Sequence, residues 1–323
     1  MNHTYDIIAV GECLIDFVGG EKDGKFILEG NPGGAPTNVL AMASQLGLST
    51  AIVTKVGNDS FGAFLRKNVS AVGINTDFMV EDLKYPTTLA IVSLDETGNR
   101  SFSFYRGQTA DVMLSESEVP YAEIENAKIL HYGSVSLTHQ SSRAATFSAA
   151  RYAKAHDVMV SYDPNLRPLL WDSLETAKAV IQQGLSLADV AKLSDEELLF
   201  LTDAHTLEEG IEQLYAKYSL RLLAVTLGSS GCICRSTAGT FRDKAFNVPC
   251  VDTTGAGDAF WGASLSYMLQ SSKPIEQYTA DDMHKLMSFA NAAGSLATTQ
   301  KGAIPAMPTL QKIEHCIQTI PRL

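Results

Sequence analysis

Asp252-Thr-Thr-Gly-Ala-Gly-Asp258-Ala-Phe260 is the stretch on which the reading of this chain turns. It follows an apolar run, Phe246 to Val251, that reads as a strand, and precedes another, Ala259 to Leu269, that reads as a helix. Glycines at Gly255 and Gly257 let the backbone turn sharply and come close to a ligand. The helix that follows offers unpaired N–H groups and the positive end of its dipole, so the turn is an anion hole suited to phosphate. Asp258 sits in its mouth. A carboxylate there binds phosphate poorly but is well placed to take a proton from an attacking hydroxyl. The motif alone therefore suggests phosphoryl transfer to an alcohol. Its bland reading is a glycine turn with an acidic residue in the first helical turn. Two other phosphate-binding classes fail on spacing. A dinucleotide fingerprint needs Gly-x-Gly-x-x-Gly, and the next glycine after Gly257 is Gly262. A P-loop needs Gly-Lys before Ser or Thr, and Gly24-Lys25 is followed by Phe26.

Far upstream, Asn31-Pro-Gly-Gly34-Ala-Pro-Thr-Asn38 opens a helix-like apolar run through Leu46, closed by Gly47. The two motifs together resemble the two signatures of the ribokinase-like (PfkB) carbohydrate kinases. The first signature matches as Gly33-Gly34-x-x-x-Asn38, with Gly47 and Gly57 downstream, and the second as Asp252 to Asp258. The resemblance runs from Val10-Gly11-Glu12 to Lys301-Gly-Ala-Ile-Pro305. Within the family the chain is most similar to the fructokinases. That similarity is carried by Gly11-Glu-Cys-Leu-Ile-Asp16-Phe17, Phe104-Tyr-Arg106, Tyr162-Asp-Pro-Asn-Leu-Arg-Pro168 and Ser194-Asp-Glu-Glu197.

Composition agrees. At 323 residues with 45% apolar content, the chain can bury the core of one large α/β unit. A formal charge of −11 argues against nucleic acid, whose phosphate backbone selects basic surfaces. It does not exclude ATP, which is held locally by backbone N–H groups, a few cations and Mg²⁺. No basic leader precedes a long apolar run, and no stretch reaches the length of a membrane span, so a cytoplasmic protein is expected. Five scattered cysteines without repeated Cys-x-x-Cys spacing, and seven histidines without ligand spacing, point to no metal cage. Reduced thiols fit best.

Strand-like runs alternate with helix-like ones: Tyr5 to Val10 opens the chain, Thr50 to Val56 precedes Gly62 to Val72, and Val158 to Tyr162 precedes Leu174 to Leu187. This alternation predicts a mostly parallel sheet covered by helices. Cys13 to Leu28 and Thr87 to Tyr105 break the pattern. The second reads as a hairpin, with strands Leu89 to Leu94 and Ser101 to Tyr105 around a turn at Asp95-Glu-Thr-Gly98. The resemblance implies a three-layer ribokinase-like sandwich in which the segments about 13–32 and 86–108 form a small β lid over the sugar. A decorated surface hairpin is the plainer reading.

The resemblance also distributes roles. Asp258 would be the general base, and the backbone N–H groups of Gly255, Ala256 and Gly257 would hold the transferring phosphoryl charge. Asp16, Gly33, Gly34 and Asn38 would bind the sugar, since an Asp and an Asn can each take two hydroxyls. Read alone, Asp16 is a strand-end carboxylate and Asn38 a first-turn residue. Arg106 would close over the sugar or the phosphoryl group. Asp163, Asn165 and Arg167 follow a strand, at the edge where ligands of open α/β sheets gather. Lys192, Thr226, Gly228, Gly231 and Asn291 would border the nucleotide. Glu197 would hold Mg²⁺ through water. Ser194 stands where many family members have Asn, and by spacing Ser194 and Glu197 are equally a helix capping box. Asp252 and Thr254, with carbonyls near Lys301 and Gly302, would border a K⁺ that tunes the anion hole.

These expectations amount to an ATP-dependent sugar kinase needing Mg²⁺, with K⁺ as an optional stimulant and D-fructose the favoured acceptor. Other furanose-like or keto-deoxy acceptors (2-keto-3-deoxygluconate, an aminoimidazole riboside) stay open, as does a homodimeric assembly. A sugar sensor on a dead kinase scaffold is the contrary reading, which the intact Asp258 and glycines oppose.

Overall fold

Short apolar runs buried on both faces form the strands of the main sheet. The computed structural model describes residues 4–22, 24–94 and 100–323. The chain opens with β1 (Tyr5–Val10), β2 (Leu14–Lys22), β3 (Lys25–Gly33), α1 (Ala35–Gln45), β4 (Thr50–Gly57) and α2 (Ser60–Ala71). Then come β5 (Ile74–Asn75), β6 (Met79–Asp82), β7 (Leu89–Leu94), β8 (Arg100–Tyr105), α3 (Tyr121–Glu125), β9 (Ala127–Gly133) and α4 (Gln140–Ala155). The second half runs β10 (Met159–Asp163), α5 (Leu174–Leu185), β11 (Val190–Ser194), α6 (Asp195–Leu201), α7 (Leu207–Tyr218) and β12 (Leu222–Thr226). It ends with β13 (Cys232–Ser236), β14 (Gly239–Asp243), α8 (Ala256–Gln270), α9 (Ala280–Ala297) and α10 (Leu310–Thr319).

The large sheet has the order β14-β13-β12-β11-β10-β9-β1-β4-β5, with β6 also beside β4. From β12 to β4 every neighbour is parallel, with Ile8 opposite both Ala51 and Leu130. β13 and β14 extend it antiparallel. Parallel strands need helical crossovers, which cover both faces. One face packs against Val39 and Leu40 of α1, Leu65 of α2, Trp261 of α8, Met283 of α9 and Ile313 of α10. The other packs against Ile124 of α3, Ala145 of α4, Ile181 of α5, Leu198 of α6 and Ile211 of α7. The result is a three-layer α/β sandwich around the mostly parallel, helix-covered sheet that the alternation implied.

A second sheet, in the order β3-β2-β7-β8, stands apart from the first. β2 pairs antiparallel with β3 and parallel with β7, which pairs antiparallel with β8. Its strands come from the two segments that interrupt the alternation. The turn read at Asp95 to Gly98 lies outside the described residues.

One element was misread. Phe246 to Val251 is no strand: Phe246 makes a single bridge to Arg322, and the chain then runs extended into the glycine turn. Pro249 has no N–H to give a ladder, and Val251 and Asp252 donate their N–H groups to the Thr298 carbonyl. The spacing of its apolar residues has another cause. Phe246, Val248 and Cys250 face one cavity, so the period of two reflects a cavity wall and not a sheet.

Candidate active site

The carboxyl ends of the central strands converge on two cavities, as expected of an open parallel sheet. β1 ends at Val10, and the chain turns through Glu12 into the small sheet, which carries Asp16 on β2. β10 ends on Asp163, and Asn165 follows in a left-handed conformation that Asn tolerates, with φ 49. β11 supplies Lys192 and β12 ends on Thr226. α1 and α8 pack side by side and aim their first turns at each other, so Asn38 meets Asp258 across the whole fold. Gly262 permits that approach, because a Cβ there would lie 2.6 Å from the Val39 carbonyl oxygen.

Asp258 forms the floor. Its side chain is 6% exposed. Oδ2 accepts from Asn38 Nδ2 at 2.8 Å and Oδ1 from Asn165 Nδ2 at 3.2 Å. Burial, with Asp163 nearby, pushes its pKa up to about 6 against the pull of Lys192, Asn38 and Arg167. A carboxylate held by two amides and poised near neutrality is suited to take a hydroxyl proton. Lys192 is also buried and donates to Asp163 Oδ2 at 2.7 Å. Burial alone would discharge it, but Asp163, Glu197 and Asp258 outweigh that and hold its pKa above the usual lysine value. A charged ammonium therefore stands beside the glycine turn, 3.1 Å from where a Gly257 Cβ would be.

The first cavity, of about 310 Å³, lies between the small sheet and the main sheet. Polar groups of Glu12, Asp16, Asn38, Asn165, Arg167, Lys192 and Asp258 line it, against apolar Leu14, Val18, Ala90 and Val135. Gly34, Thr254, Gly255 and Gly257 complete the wall. Asp16 opens partly on this space, yet burial pushes its pKa up to about 7, with Asp258 and Asp252 adding and Arg167 opposing. Gly33 sits behind it, where a Cβ would overlap the Asp16 carboxylate. The second cavity, of about 340 Å³, lies behind the glycine turn. Thr226, Gly228, Gly231, Ala256 and Asn291 line it, with Phe246, Val248 and Phe260 as apolar surface. Thr253 and Gly257 belong to both cavities. The two cavities therefore adjoin at the glycine turn, with Asp258 in the wall of the first.

Some residues singled out from sequence lie elsewhere. Arg106 lines neither cavity. Its guanidinium is buried and each nitrogen is engaged: Nε donates to Asp111 Oδ2 at 2.7 Å, Nη1 to Thr138 Oγ1 at 2.6 Å and Nη2 to the Val135 carbonyl at 3.0 Å. The expectation that it closes over the sugar does not hold in this conformation, because Asp111, which sequence reasoning missed, claims its charge. Asp163 stands behind Lys192. Glu197 lines neither cavity and closes the capping box of α6, its Oε2 accepting from Ser194 N at 2.8 Å while Oε1 accepts from Leu166 N at 2.6 Å. Asn291 lines the second cavity and donates to the Asp243 and Lys244 carbonyls. Asp252 ties the glycine loop together, accepting from Thr254 N and Oγ1 through Oδ1 and from Gly302 N through Oδ2. Sequence reasoning also passed over Glu12, whose place beside the Asp16 motif was the one available signal.

The pfkB carbohydrate kinase family model matches residues 5–310. The chain belongs to this family. It is 40% identical over 321 residues to fructokinase-2 of Oryza sativa subsp. japonica, covering 96% of this chain and 93% of that one. Fructokinase from Xylella fastidiosa with bound ATP superposes with a TM-score of 0.90 at 34% identity, covering 97% and 98% of the two chains. A double mutant of the Vibrio cholerae O395 fructokinase, in its fructose, ADP and potassium ion bound form, superposes at 0.87 with 32% identity, covering 98% and 99%. A carbohydrate kinase needs a polar cavity for its acceptor and a second space for its nucleotide, meeting at a proton acceptor. The pfkB chain has two adjoining cavities, the first lined by many polar groups.

Proposed function

We propose that this kinase transfers the γ-phosphoryl group of ATP to O6 of D-fructose, giving fructose 6-phosphate and ADP. The observation that carries this reading is the position of Asp258 in the wall of the first cavity, next to Gly257, where the two cavities meet. Fructose in its furanose form would fill the first cavity, held by Asp16, Asn38 and the backbone at Gly34. Asp258 would take the O6 proton as the O6–P bond forms and the bond from phosphorus to the β–γ bridging oxygen breaks. The N–H groups of Gly255, Ala256 and Gly257, with Lys192 and Arg167, would carry the charge of the phosphoryl group in flight. ATP would lie along Thr226, Gly228 and Gly231, with its base toward Asn291. The small sheet, roughly 13–32 and 86–108, would act as the lid of a single kinase unit.

A magnesium ion drawing most of its ligands from phosphate and water would find its protein oxygen at Asp163, since both Glu197 oxygens are taken by backbone N–H groups. Asp163 Oδ1 is a buried oxygen without a partner, and Glu197 lies close enough to sense its charge. Mg²⁺ there would neutralise the phosphate oxygens. K⁺ would sit by Asp252, Thr254 and Gly302, where the loop is already cross-tied. All five cysteines are free thiols, which suits a cytoplasmic protein. Among the described residues no helix is long and apolar enough to cross a membrane.

The test is ADP release with a sugar panel. Fructose should exceed glucose, 2-keto-3-deoxygluconate and aminoimidazole riboside by at least about tenfold in kcat/KM, roughly 1.4 kcal/mol of barrier. A keto-deoxy acid or riboside ahead by that margin overturns the acceptor. No ADP release with any sugar overturns the activity.

A further inference from the structure

Glu12 holds a buried carboxylate oxygen that nothing in the fold uses. Its Oε1 accepts from Ala35 N, the first residue of α1, at 2.9 Å. Its own backbone carbonyl accepts from Thr37 Oγ1 at 3.1 Å. Gly34, at the cap position of α1, has φ 112 and no side chain to cap with, so Glu12 reaches across from the end of β1 to do that work. A cap needs one acceptor oxygen. Oε2 is left buried with no hydrogen bond.

Among the described residues with an unpartnered buried side-chain oxygen, Glu12 and Asp163 are the carboxylates. Asp163 shares its other oxygen with Lys192, whereas Glu12 has no ion pair of its own. The nearby Arg106 is spoken for by Asp111, Thr138 and Val135. Burial pushes the Glu12 carboxyl up to about 7. A glutamine would cap α1 equally well without that desolvation, so capping alone does not account for a carboxylate. The residue lines the acceptor cavity beside Leu14, Asp16, Gly34 and Asn38. A polyol brings hydroxyl donors into that space, and an unpaired acceptor in its wall is a group such a donor satisfies.

We propose that Glu12 is a sugar-binding residue that sets acceptor specificity, its Oε1 fixing the start of α1 while its Oε2 accepts one hydroxyl of the bound sugar. This rests on the carbohydrate kinase reading of the same cavity. Anchoring both α1 and the sugar makes the residue a gauge of ring size: a sugar seated wrongly would leave Oε2 unpaired in a dry wall. Sites built to hold a hydroxyl reject analogues lacking it far more strongly than apolar pockets reject a missing methylene.

The experiment compares wild type with Glu12→Gln, which keeps an acceptor for Ala35 N and places an amide donor where Oε2 was. Turnover of fructose by wild type is measured first. Calorimetry then gives the affinities of both proteins for fructose, 1-, 3- and 4-deoxyfructose and 2,5-anhydro-D-mannitol. Glu12→Gln should bind fructose at least about tenfold more weakly, with KM for ATP unchanged and a melting temperature no lower than wild type, since the amide is spared the burial penalty of the carboxylate. One analogue should lose that factor against wild type and lose little more against the variant, because the same bond cannot be removed twice. Equal fructose affinity in the two proteins, or losses that simply multiply for every analogue, overturns the role. If wild type turns over another sugar, the same cycle is run with that sugar and its deoxy analogues, so a wrong acceptor and a wrong role for Glu12 give different results. Should Glu12→Gln fail to fold, Glu12→Asp, which withdraws the oxygen by one carbon and keeps the charge, carries the comparison.

Discussion

Asp258 is poised by its surroundings. Two amide donors fix its orientation, and burial holds its pKa near 6. Asp258→Asn should fold, since Asn38 can turn its amide to meet the new one, and should keep sugar binding. Its kcat should fall by about 10² to 10⁴, the usual worth of a positioned base; near-normal turnover removes Asp258 from the mechanism. Acid should act in the same direction. The profile of kcat/KM reports the free enzyme, in which Asp16 titrates at about 7 and Asp258 at about 6. Activity should decline below pH 7 and more steeply below pH 6, and Asp16→Asn should shrink the upper step to the share of Glu12, which is also raised to about 7. A profile flat down to pH 5 contradicts both assignments. Residue identity at this site was legible where function is local: a glycine turn announces an anion hole in any fold. It was not legible where a partner is distant in sequence. Glu12 matters through Ala35, and Arg106 is occupied by Asp111, Thr138 and Val135, none of which any spacing rule connects to it.

Two glycines of one turn have different reasons to be glycine. Gly255 has φ 76, and a Cβ there would lie 2.6 Å from the Ala303 Cβ and 3.0 Å from its Cα. Gly255→Ala should therefore cost about 1–3 kcal/mol of stability as well as activity. Gly257 has an ordinary φ, and its Cβ would meet the flexible end of Lys192 at 3.1 Å. Gly257→Ala should melt near wild type, bind sugar normally and turn over poorly, because the methyl intrudes where phosphate passes. Equal loss of melting temperature in both variants would sink this distinction. Arg106 acts on the scale of an element too, because it ties the end of β8 to the turn after β9. Arg106→Ala strands Asp111 and should cost about 3–5 kcal/mol, raising KM for the sugar through a loosened small sheet while KM for ATP holds. An unchanged melting temperature contradicts the clamp. Elements with a self-contained period were readable: β1 runs from Tyr5 to Val10 as its apolar run does. Phe246 to Val251 was not, since alternation reports which side chains face inward and is silent on whether an N–H finds a neighbouring strand.

On the scale of the molecule, the cleft and its walls gather acids: Glu12, Asp16, Asp163, Glu197 and Asp258, with Lys192 and Arg167 as the cations lining it and Arg106 behind, already paired with Asp111. Such a site is kept for its ligands at a cost to the unliganded fold. The cost has a sign that pH reveals. Burial raises Glu12 from 4.5 to about 7, Asp16 from 3.8 to about 7 and Asp258 from 3.8 to about 6. Between the two values of each group the folded chain binds a proton that the unfolded chain has released. Stability from these groups is thus fully present below about pH 4 and lost as pH rises to 7. His131, buried beside Ser161 and lowered from 6.5 to about 3, works the other way over part of that range, as does His139, also lowered by burial, while Glu197, raised by burial, acts with the three carboxyls. Below pH 4, Asp6, Asp59 and Asp82, whose pKa values lie under 3.8, also lose stability to acid. The unliganded protein should accordingly be most stable near pH 4. Its melting temperature should fall from pH 5 to pH 7, then level off, with each unopposed group contributing up to about 1.4 kcal/mol per pH unit. Asp16→Asn removes one of the three, so it should raise the melting temperature at pH 7.5 by more than at pH 5 and flatten the slope between them. Bound fructose, by supplying hydroxyl donors to the same oxygens, should flatten the wild-type slope in the same way. A melting temperature that climbs from pH 5 to pH 7.5, or an Asp16→Asn slope identical to wild type, would mean that these carboxyls are not the strained component of the cleft.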